Sequence, residues 1–458
     1  MSDHRCMRHS MSSARGIGVV SVMVCLALGV AGSGNSNASE TETRRTSLPS
    51  ASSRVPTQLS RALASECTTF AANVGATDVI VDPVAKVGAL RPIAAELAAH
   101  LDALRFPPDL AALRMRLRRH VSDASKDLAT ANTASSATAA FAAFMRDIDA
   151  AGLTLLRAGV PCLGNPAGLR SAAVNIPVEG DAWVVTAAFG DLWVSEKYLG
   201  RIVRIDPRTG RTLARIDVSP NPAKAYPADG FLWVRTQADM VQIDPSTNHV
   251  VQKVPKSRFG QAVQRTWVVD GAMWLCDGST LVRVDPVSLR QVARLTLDFP
   301  CFEVYARGDT VLAWSNDNAP TESGREQIAI IDPARNVVRS SLRLPVDIGL
   351  PAIVRGRAFF VGDGTAKIIV VDLDRGSVVA TRELSAPAAG GVLLARGSLW
   401  VPTADVRHVV QVDPETLRVV RTINPAGVAA IAFTAGKLWT VVPDPLNLLE
   451  GFDINGSK

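Results

Sequence analysis

The chain has 458 residues, a formal net charge of +6, 47% hydrophobic residues and 20% charged residues. This length favours two or three domains rather than one small module, and the hydrophobic fraction excludes wholesale disorder. The single long apolar run, Gly16–Gly32, excludes a protein with several membrane spans, and the mild positive charge gives no reason to expect a nucleic-acid partner.

The first 38 residues have the pattern of a secretory signal peptide. Arg5, Arg8 and Arg15 precede the apolar run, and small residues follow it as far as Ala38. A basic segment, an apolar segment and a small-residue cleavage site are typical of export signals. We therefore expect a signal peptide over 1–38, a disordered linker over 39–54, a periplasmic or extracellular location, and no transmembrane domain after cleavage. The alternative is an uncleaved N-terminal anchor.

Export would place the cysteines in an oxidising compartment, where pairs persist as disulfides. Loss of the signal peptide leaves Cys67, Cys162, Cys276 and Cys301. Four thiols allow three pairings, of which domain membership favours Cys67–Cys162 and Cys276–Cys301. The alternative is that some of the four are buried free thiols. No CxxC motif occurs, so we expect neither a zinc site nor a redox motif.

Residues 55–165 predict a small all-α bundle. Apolar residues recur there at steps of three and four, as in Leu90, Ile93 and Leu97, which is typical of amphipathic helices. Similar stripes further along the chain indicate about four helices, the first of them around 59–74. Pro92 is suited to the first position of a helix. A bond between Cys67 and Cys162 would join the two ends of this bundle.

Residues 171–458 contain seven copies of one unit. Its first signature is a short apolar run, as in Asp191–Val194 and Ser398–Val401, and its second is an aspartate that usually precedes proline. These aspartates recur at intervals of 38 to 47 residues and are Asp206, Asp244, Asp285, Asp332, Asp372, Asp413 and Asp453. A period near 40 residues with short β runs predicts an all-β seven-bladed β-propeller with one four-stranded sheet per repeat.

The segment 206–210 predicts the hairpin between the third and fourth strands of the first blade. The aspartate can cap the turn through its side chain, proline fixes φ, and Gly210 supplies a left-handed residue. Asn248, Asn336 and Gly376 occupy the same place in other copies. We therefore interpret the repeated aspartates as turn residues rather than metal ligands.

The two ends of the array predict how the ring closes. The last copy supplies only three strands, whereas 171–178 resembles a fourth strand with no blade before it. We expect this N-terminal strand to complete the last blade. Closure would bury the apolar faces that the first and last blades otherwise expose.

Candidate binding residues lie in the connections that converge on one mouth of the central channel. Loops on a rigid scaffold commonly carry function, and mixed charges there suit a polar small molecule or a peptide. The connections between second and third strands supply Glu196, Tyr198, Arg235, Asp277, Asn316 and Asp363. The connections between blades supply Lys224, Arg258 and Glu303.

The segment GDLWVSEKYLGRIVRIDPRTG, residues 190–210, resembles the repeat of streptogramin B lyase and its relatives among the YVTN-type propellers. The resemblance covers residues 171–458. It implies a propeller and, in the lyase itself, a magnesium-assisted elimination that opens a cyclic depsipeptide with a histidine base. Glu196 lies where such proteins place a polar residue at the end of the second strand. The histidines His249 and His408 fall by spacing at a hairpin turn of blade 2 and at the start of the third strand of blade 6.

Two functional hypotheses follow, and a third possibility is assembly in the cell envelope through exposed blade edges. The first is an exported, non-catalytic propeller, without a cofactor, that binds a small molecule, peptide or protein partner of the cell envelope at the channel mouth. The second is a lyase-like enzyme that uses Mg²⁺ and acidic residues among Glu196, Asp277, Glu303 and Asp363. No GxSxG, HExxH, P-loop or dinucleotide-binding motif occurs, and no catalytic residue is assigned.

Overall fold

The computed structural model confirms the predicted fold class, a seven-bladed β-propeller preceded by a small helical bundle. It describes residues 55–77, 80, 82–162, 169, 171–178, 182–197, 199–219, 221–260, 263–269, 271–315, 326–362, 364–404, 407–442 and 447–454. The predicted signal peptide and linker lie outside these residues and stay predictions. No helix in these ranges is long and apolar enough to cross a membrane.

The bundle contains four helices in its described part. They are α1 (Thr57–Gly75), α2 (Pro83–Ala103), α3 (Ala111–Ala129) and α4 (Ala134–Arg157). The placement of Pro92 at a helix start is wrong, because α2 begins nine residues earlier and Pro92 lies inside it. The earlier start is fixed by Asp82, whose carboxylate accepts a hydrogen bond from Val84 N at 3.0 Å, and by Pro83 in the first turn.

Apolar side chains hold the bundle together and join it to the propeller. Leu63, Leu117 and Leu155 are buried in its core, next to the predicted Cys67–Cys162 disulfide, which is present with a Cα–Cα distance of 5.4 Å. At the far end of α4, Leu156 packs with Leu448 of the last blade in a separate apolar cluster.

The strands form seven antiparallel sheets of four strands each. After β1 (Val174–Pro177), blade 1 comprises β2 (Ala182–Ala188), β3 (Asp191–Glu196), β4 (Arg201–Ile205) and β5 (Thr212–Asp217). Blade 2 comprises β6 (Ala225–Ala228), β7 (Phe231–Arg235), β8 (Asp239–Asp244) and β9 (His249–Pro255). Blade 3 comprises β10 (Val263–Val269), β11 (Ala272–Asp277), β12 (Thr280–Val284) and β13 (Gln291–Thr296). Blade 4 comprises β14 (Glu303–Arg307), β15 (Thr310–Trp314), β16 (Glu326–Asp332) and β17 (Val337–Leu344).

The remaining blades follow the same order. Blade 5 comprises β18 (Ala352–Val354), β19 (Arg357–Val361), β20 (Lys367–Asp372) and β21 (Ser377–Glu383). Blade 6 comprises β22 (Leu393–Ala395), β23 (Ser398–Pro402), β24 (Val409–Val412) and β25 (Val419–Ile423). Blade 7 comprises β26 (Ala430–Thr434), β27 (Lys437–Val442), β28 (Leu448–Asp453) and, as its fourth strand, β1.

The pairing of β1 with β28 closes the ring. The two strands are antiparallel, with Val174 opposite Gly451 and Pro177 opposite Leu448. The C-terminal sheet thus depends on a strand that precedes the first blade. An apolar cluster that includes Ile176, Leu192 and Trp439 joins this blade to blade 1. The unpaired edge that an open array would present is therefore covered.

The second strand of each blade forms the core between neighbouring blades. Trp193, Trp233, Trp274, Trp400 and Trp439 from these strands are fully buried.

The hairpin aspartates are turn residues: Asp206 accepts hydrogen bonds from Arg208 N at 2.8 Å and Thr209 Oγ1 at 2.7 Å, which lower the pKa of its carboxyl. Gly210 follows with φ of 72°. The buried second strands and the hairpin turns form the scaffold. The first strand of each blade lines the centre of the ring.

Candidate functional site

Three of the predicted mouth residues lie at the same end of blades 2 and 4. In an antiparallel sheet, the starts of the first and third strands lie beside the ends of the second and fourth. Lys224 immediately precedes β6 and Arg235 ends β7, and Arg235 N donates to Lys224 O at 3.0 Å. Glu303 begins β14 of blade 4, so its side chain starts from the same end of the ring.

Glu303 lies between two arginines from other blades. Its Oε1 is 3.9 Å from Arg235 Nη1, and its Oε2 is 3.6 Å from Arg265 Nε of β10. The side chains of Arg235, Glu303 and Arg265 are 10%, 16% and 31% exposed, so the group is screened from bulk water yet still reachable. Ion pairs of this kind are weakly screened, and a ligand can compete for them.

An aromatic row crosses the inner strands of the same three blades. The ring centroids of Tyr226 and Trp267 are 4.9 Å apart, and those of Trp267 and Tyr305 are 4.6 Å apart. Lys224 Nζ lies 4.1 Å from the Trp267 ring centroid, within the range of a cation–π contact. The charged groups therefore adjoin an apolar, ring-lined wall.

We call this group the mouth cluster; it consists of Lys224, Tyr226, Arg235, Arg265, Trp267 and Glu303. Burial lowers the pKa of Lys224 to about 7, helped by the Arg235 guanidinium and opposed by Glu303. Burial also lowers the pKa of Arg265, with Arg235 as the next cause. The buried Lys256 lies close enough for both arginines to influence it, and its pKa falls to about 8, chiefly through burial.

Tyr226 adds a hydroxyl group to the cluster. The residue is 3% exposed, and its hydroxyl has no hydrogen-bond partner within the described ranges. Burial raises the pKa of Tyr226 to about 12, and Arg235, Glu303 and Arg265 act on it electrostatically. A buried, protonated phenol beside an arginine–carboxylate group is a donor that a ligand can satisfy.

A disulfide fixes the position of Glu303. The second predicted bond, Cys276–Cys301, is present with a Cα–Cα distance of 5.2 Å. It joins β11 of blade 3 to the residues just before β14, two positions from Glu303. Phe302, between them, lies under the Arg265 guanidinium at 5.0 Å from its ring centroid. The bond thus ties together two of the blades that contribute to the cluster.

The other six predicted site residues are not part of the mouth cluster as the structure describes it. Glu196 is buried and forms an ion pair with Arg201 in blade 1. Asp277 is paired with Arg294 Nη2 at 2.8 Å, and Arg258 is exposed in the short 3-10 turn Lys256–Arg258. Tyr198, Asn316 and Asp363 lie outside the described residues, so their place in a site stays a prediction.

Sequence reasoning missed the residues inside the strands. Tyr226, Arg265 and Trp267 belong to β6 and β10, whereas the sequence predicts site residues in the connections between strands. A usable signal was present: β18 and β22 are the short aliphatic runs Ala352–Val354 and Leu393–Ala395, whereas β6 and β10 carry aromatic rings and β10 also carries a charge.

Neither propeller histidine belongs to this cluster: His249 lies at the opposite end of blade 2, and His408 lies in a distant blade. His249 begins β9 at the hairpin end of blade 2, and His408 immediately precedes β24 in blade 6. Within the described part of the chain, no group of three or more histidine, cysteine, aspartate or glutamate residues is arranged to hold a metal ion.

Comparison with known proteins found similar solved structures but no matching sequence family. No family model matches the sequence, and no curated protein matches it. Among solved structures, Kuenenia stuttgartiensis hydrazine synthase has 11% identity and a TM-score of 0.48 over 60% of this chain and 96% of that chain. The computationally designed protein Ika8 has 10% identity and a TM-score of 0.47 over 62% of this chain and 100% of its own.

Proposed function

We propose that this protein is an exported, ligand-binding propeller that takes a small organic anion into the channel mouth of blades 2 to 4. The observation that carries the proposal is the mouth cluster, where two arginines lie against one carboxylate and a lysine lies over the adjoining aromatic row. The two disulfides support the export part of the proposal, since such bonds persist in oxidising compartments.

The charges favour an anion with an apolar part. Lys224, Lys256, Arg235 and Arg265 outnumber Glu303 and Asp239, the carboxylates that act on them. A ligand carboxylate can receive hydrogen bonds from a guanidinium in a planar, paired geometry, and an attached ring can pack against Trp267. Because neither propeller histidine belongs to the cluster, we propose binding rather than elimination.

The test compares two probes of the same shape and opposite charge. Benzoate and benzylammonium are titrated into the full chain, with calorimetry and tryptophan fluorescence as readouts. We expect benzoate to bind and benzylammonium not to bind, because the cluster is positively charged. The Arg265→Met variant should lose most of the benzoate affinity, whereas Arg407→Met, at the mouth end of blade 6, should keep it. Equal binding of both probes, or benzoate binding unaffected by Arg265→Met, would refute the proposal.

A further inference from the structure

Lys224 differs chemically from the other cations of the mouth cluster. A guanidinium stays protonated in proteins, whereas an amine loses its proton when its surroundings disfavour charge. The Lys224 amino group is partly buried against the Trp267 ring, 4.1 Å from its centroid, and the positive Arg235 is nearby. With its pKa lowered to about 7, a large fraction of this amine is neutral at neutral pH. A neutral amine carries a free lone pair and is a nucleophile.

The surroundings of this amine contain the other groups that carbonyl addition requires. Arg235 and Arg265 can hold a carboxylate, which positions the rest of the ligand. The unpaired hydroxyl of Tyr226 can donate a hydrogen bond to an oxygen that becomes negative. Glu303 lies close enough to Lys224 to act on it electrostatically, and it can accept a proton.

We propose that Lys224 binds a 2-oxo carboxylate covalently, as a reversible imine. The proposal rests on the anion-binding function above and specifies its ligand class, a carbonyl carbon directly attached to a carboxylate. An amine and an unpaired phenol that both adjoin the Trp267 ring, beside two guanidiniums, support that class, because the guanidiniums can hold the carboxylate while the adjacent carbonyl reaches the amine and the phenol.

The reaction balances without an oxidant or a reductant. The Lys224 lone pair forms a C–N bond to the carbonyl carbon, and the carbonyl oxygen takes a proton to give a carbinolamine. The nitrogen then loses a proton to Glu303 or water, and the hydroxyl group takes up a proton and leaves as water as the C=N bond forms. The nitrogen keeps its last proton, so the products are a protonated imine and one molecule of water, and one proton in all is taken up from solution.

Two matched acids test the proposal. Benzoylformate is a 2-oxo acid, and mandelate is the corresponding 2-hydroxy acid with the same charge and ring. The full chain is incubated with each acid and sodium cyanoborohydride, which reduces an imine to a stable secondary amine. Modified peptides are then mapped by mass spectrometry. Binding of both acids is measured separately, without the reductant.

We expect one adduct, on Lys224, with benzoylformate and none with mandelate. Its yield should rise severalfold from pH 6 to pH 8, because the neutral amine reacts. Lys224→Arg keeps the cation and should abolish the adduct, whereas Lys367→Arg, which changes a partly buried lysine at the same end of blade 5, should not. Mapping in the unaltered chain makes the result independent of how either variant folds.

Three results would contradict the imine proposal, and each can be told apart from the others. Equal binding of benzoylformate and mandelate with no adduct would overturn the imine and leave the anion site standing. Adducts spread over several lysines, or located on a lysine other than Lys224, would also overturn it. Failure of both acids to bind would overturn the anion site together with the imine.

Discussion

Blades 2 to 4 and blades 5 to 7 share one scaffold but differ at the centre of the ring. Their second strands carry the same buried aromatic pattern, as in Trp233 and Trp400. Their first strands differ: β10 contains Arg265 and Trp267, whereas β18 and β22 are Ala352–Val354 and Leu393–Ala395. The residues that specify the fold are therefore different from the residues that form the candidate site. The charged and aromatic side chains of that site lie in blades 2 to 4.

The same contrast appears in two carboxylates. Glu303 in blade 4 lies between two guanidiniums. Glu450 in blade 7 is fully buried and accepts a hydrogen bond from Ala426 N at 2.8 Å. Burial raises the pKa of Glu450 to about 8, opposed by hydrogen bonds from Ala426 and Thr440. Glu303 is thus suited to exchange partners with a ligand, whereas Glu450 is a neutral part of the core at neutral pH.

The largest expected effect is the loss of stability when the disulfide of the helical bundle is removed. Replacing Cys67 and Cys162, which are 95 residues apart, with alanine should lower the free energy of unfolding by about 4.5 kcal/mol. Benzoate affinity should not change, because this bond lies in the helical bundle. Denaturant unfolding and calorimetric titration measure the two quantities.

Removal of the propeller disulfide should reduce stability less than removal of the bundle disulfide does, and it should reduce benzoate binding more. Cys276 and Cys301 are 25 residues apart, so their replacement should cost about 3.5 kcal/mol. It should also weaken benzoate binding severalfold, because it releases the segment that holds Glu303. Equal effects of the two pairs on binding would show that the mouth does not depend on the local bond.

Glu450→Gln should remove a pH dependence of stability that belongs to blade 7. The pKa of Glu450 is about 8 in the folded chain and near 4.5 when exposed, so the folded state binds the extra proton between these values. Its contribution to stability is therefore fully present below about pH 4.5 and is lost as pH rises through about 8. The variant should exceed the parent by a few kcal/mol at pH 9 in urea unfolding.

A carboxylate at the surface provides the control for this pH effect. Glu415 is exposed, with 60% of its side chain accessible, so Glu415→Gln should keep the parental profile. The groups opposite Glu450 are Thr440 on β27 and Asn175 on β1, neither of which titrates. If Glu450→Gln and its parent lose stability in parallel from pH 5 to pH 9, Glu450 is not the source.

Arg235→Met should weaken benzoate binding by roughly thirtyfold, since a hydrogen bond to a charged group contributes about 2 kcal/mol. Arg407→Met removes one positive charge from the mouth end of blade 6 and should leave affinity within twofold, as expected for a distant exposed charge at physiological salt. Isothermal titration of both variants decides between local contact and a general field effect. Similar losses in the two variants would favour the general field.

The smallest expected effect is the pH dependence of benzoate affinity. Lys224 is cationic below its pKa of about 7 and neutral above it, so affinity should fall about threefold from pH 6 to pH 8. Arg235 and Glu303 face Lys224, and Lys256, with a pKa of about 8, adds to the fall at the upper end of this range. Lys224→Arg should flatten most of the profile measured by fluorescence titration.

Much of the fold could be predicted because the sequence of each repeat specifies the strands and turns of its own blade. The aspartate turns, the buried second strands and the missing fourth strand of the last copy all follow from local patterns, and β1 pairs with β28. The start of α2 could not be predicted from the apolar stripe alone. It depends on Asp82 and Pro83, which precede the first residue of that stripe.

The site was harder to predict because it depends on which blades are neighbours and how deep each side chain lies. Lys224, Arg235 and Glu303 were predicted as members of loops, but their convergence requires the ring geometry. Arg265 and Trp267 lie within a strand, where sequence reasoning assigns side chains to the core. Glu196 and Asp277, which fit the same loop pattern, are instead neutralised by Arg201 and Arg294.

Crystals of the full chain soaked with 4-bromobenzoate, measured at the bromine absorption edge, test the central claim most directly. Our account predicts an anomalous peak beside the Trp267 ring, with the carboxylate toward Arg235 and Arg265. A bromine peak against the aliphatic inner strands of blades 5 and 6, or a mouth without bromine at saturating concentration, would contradict it.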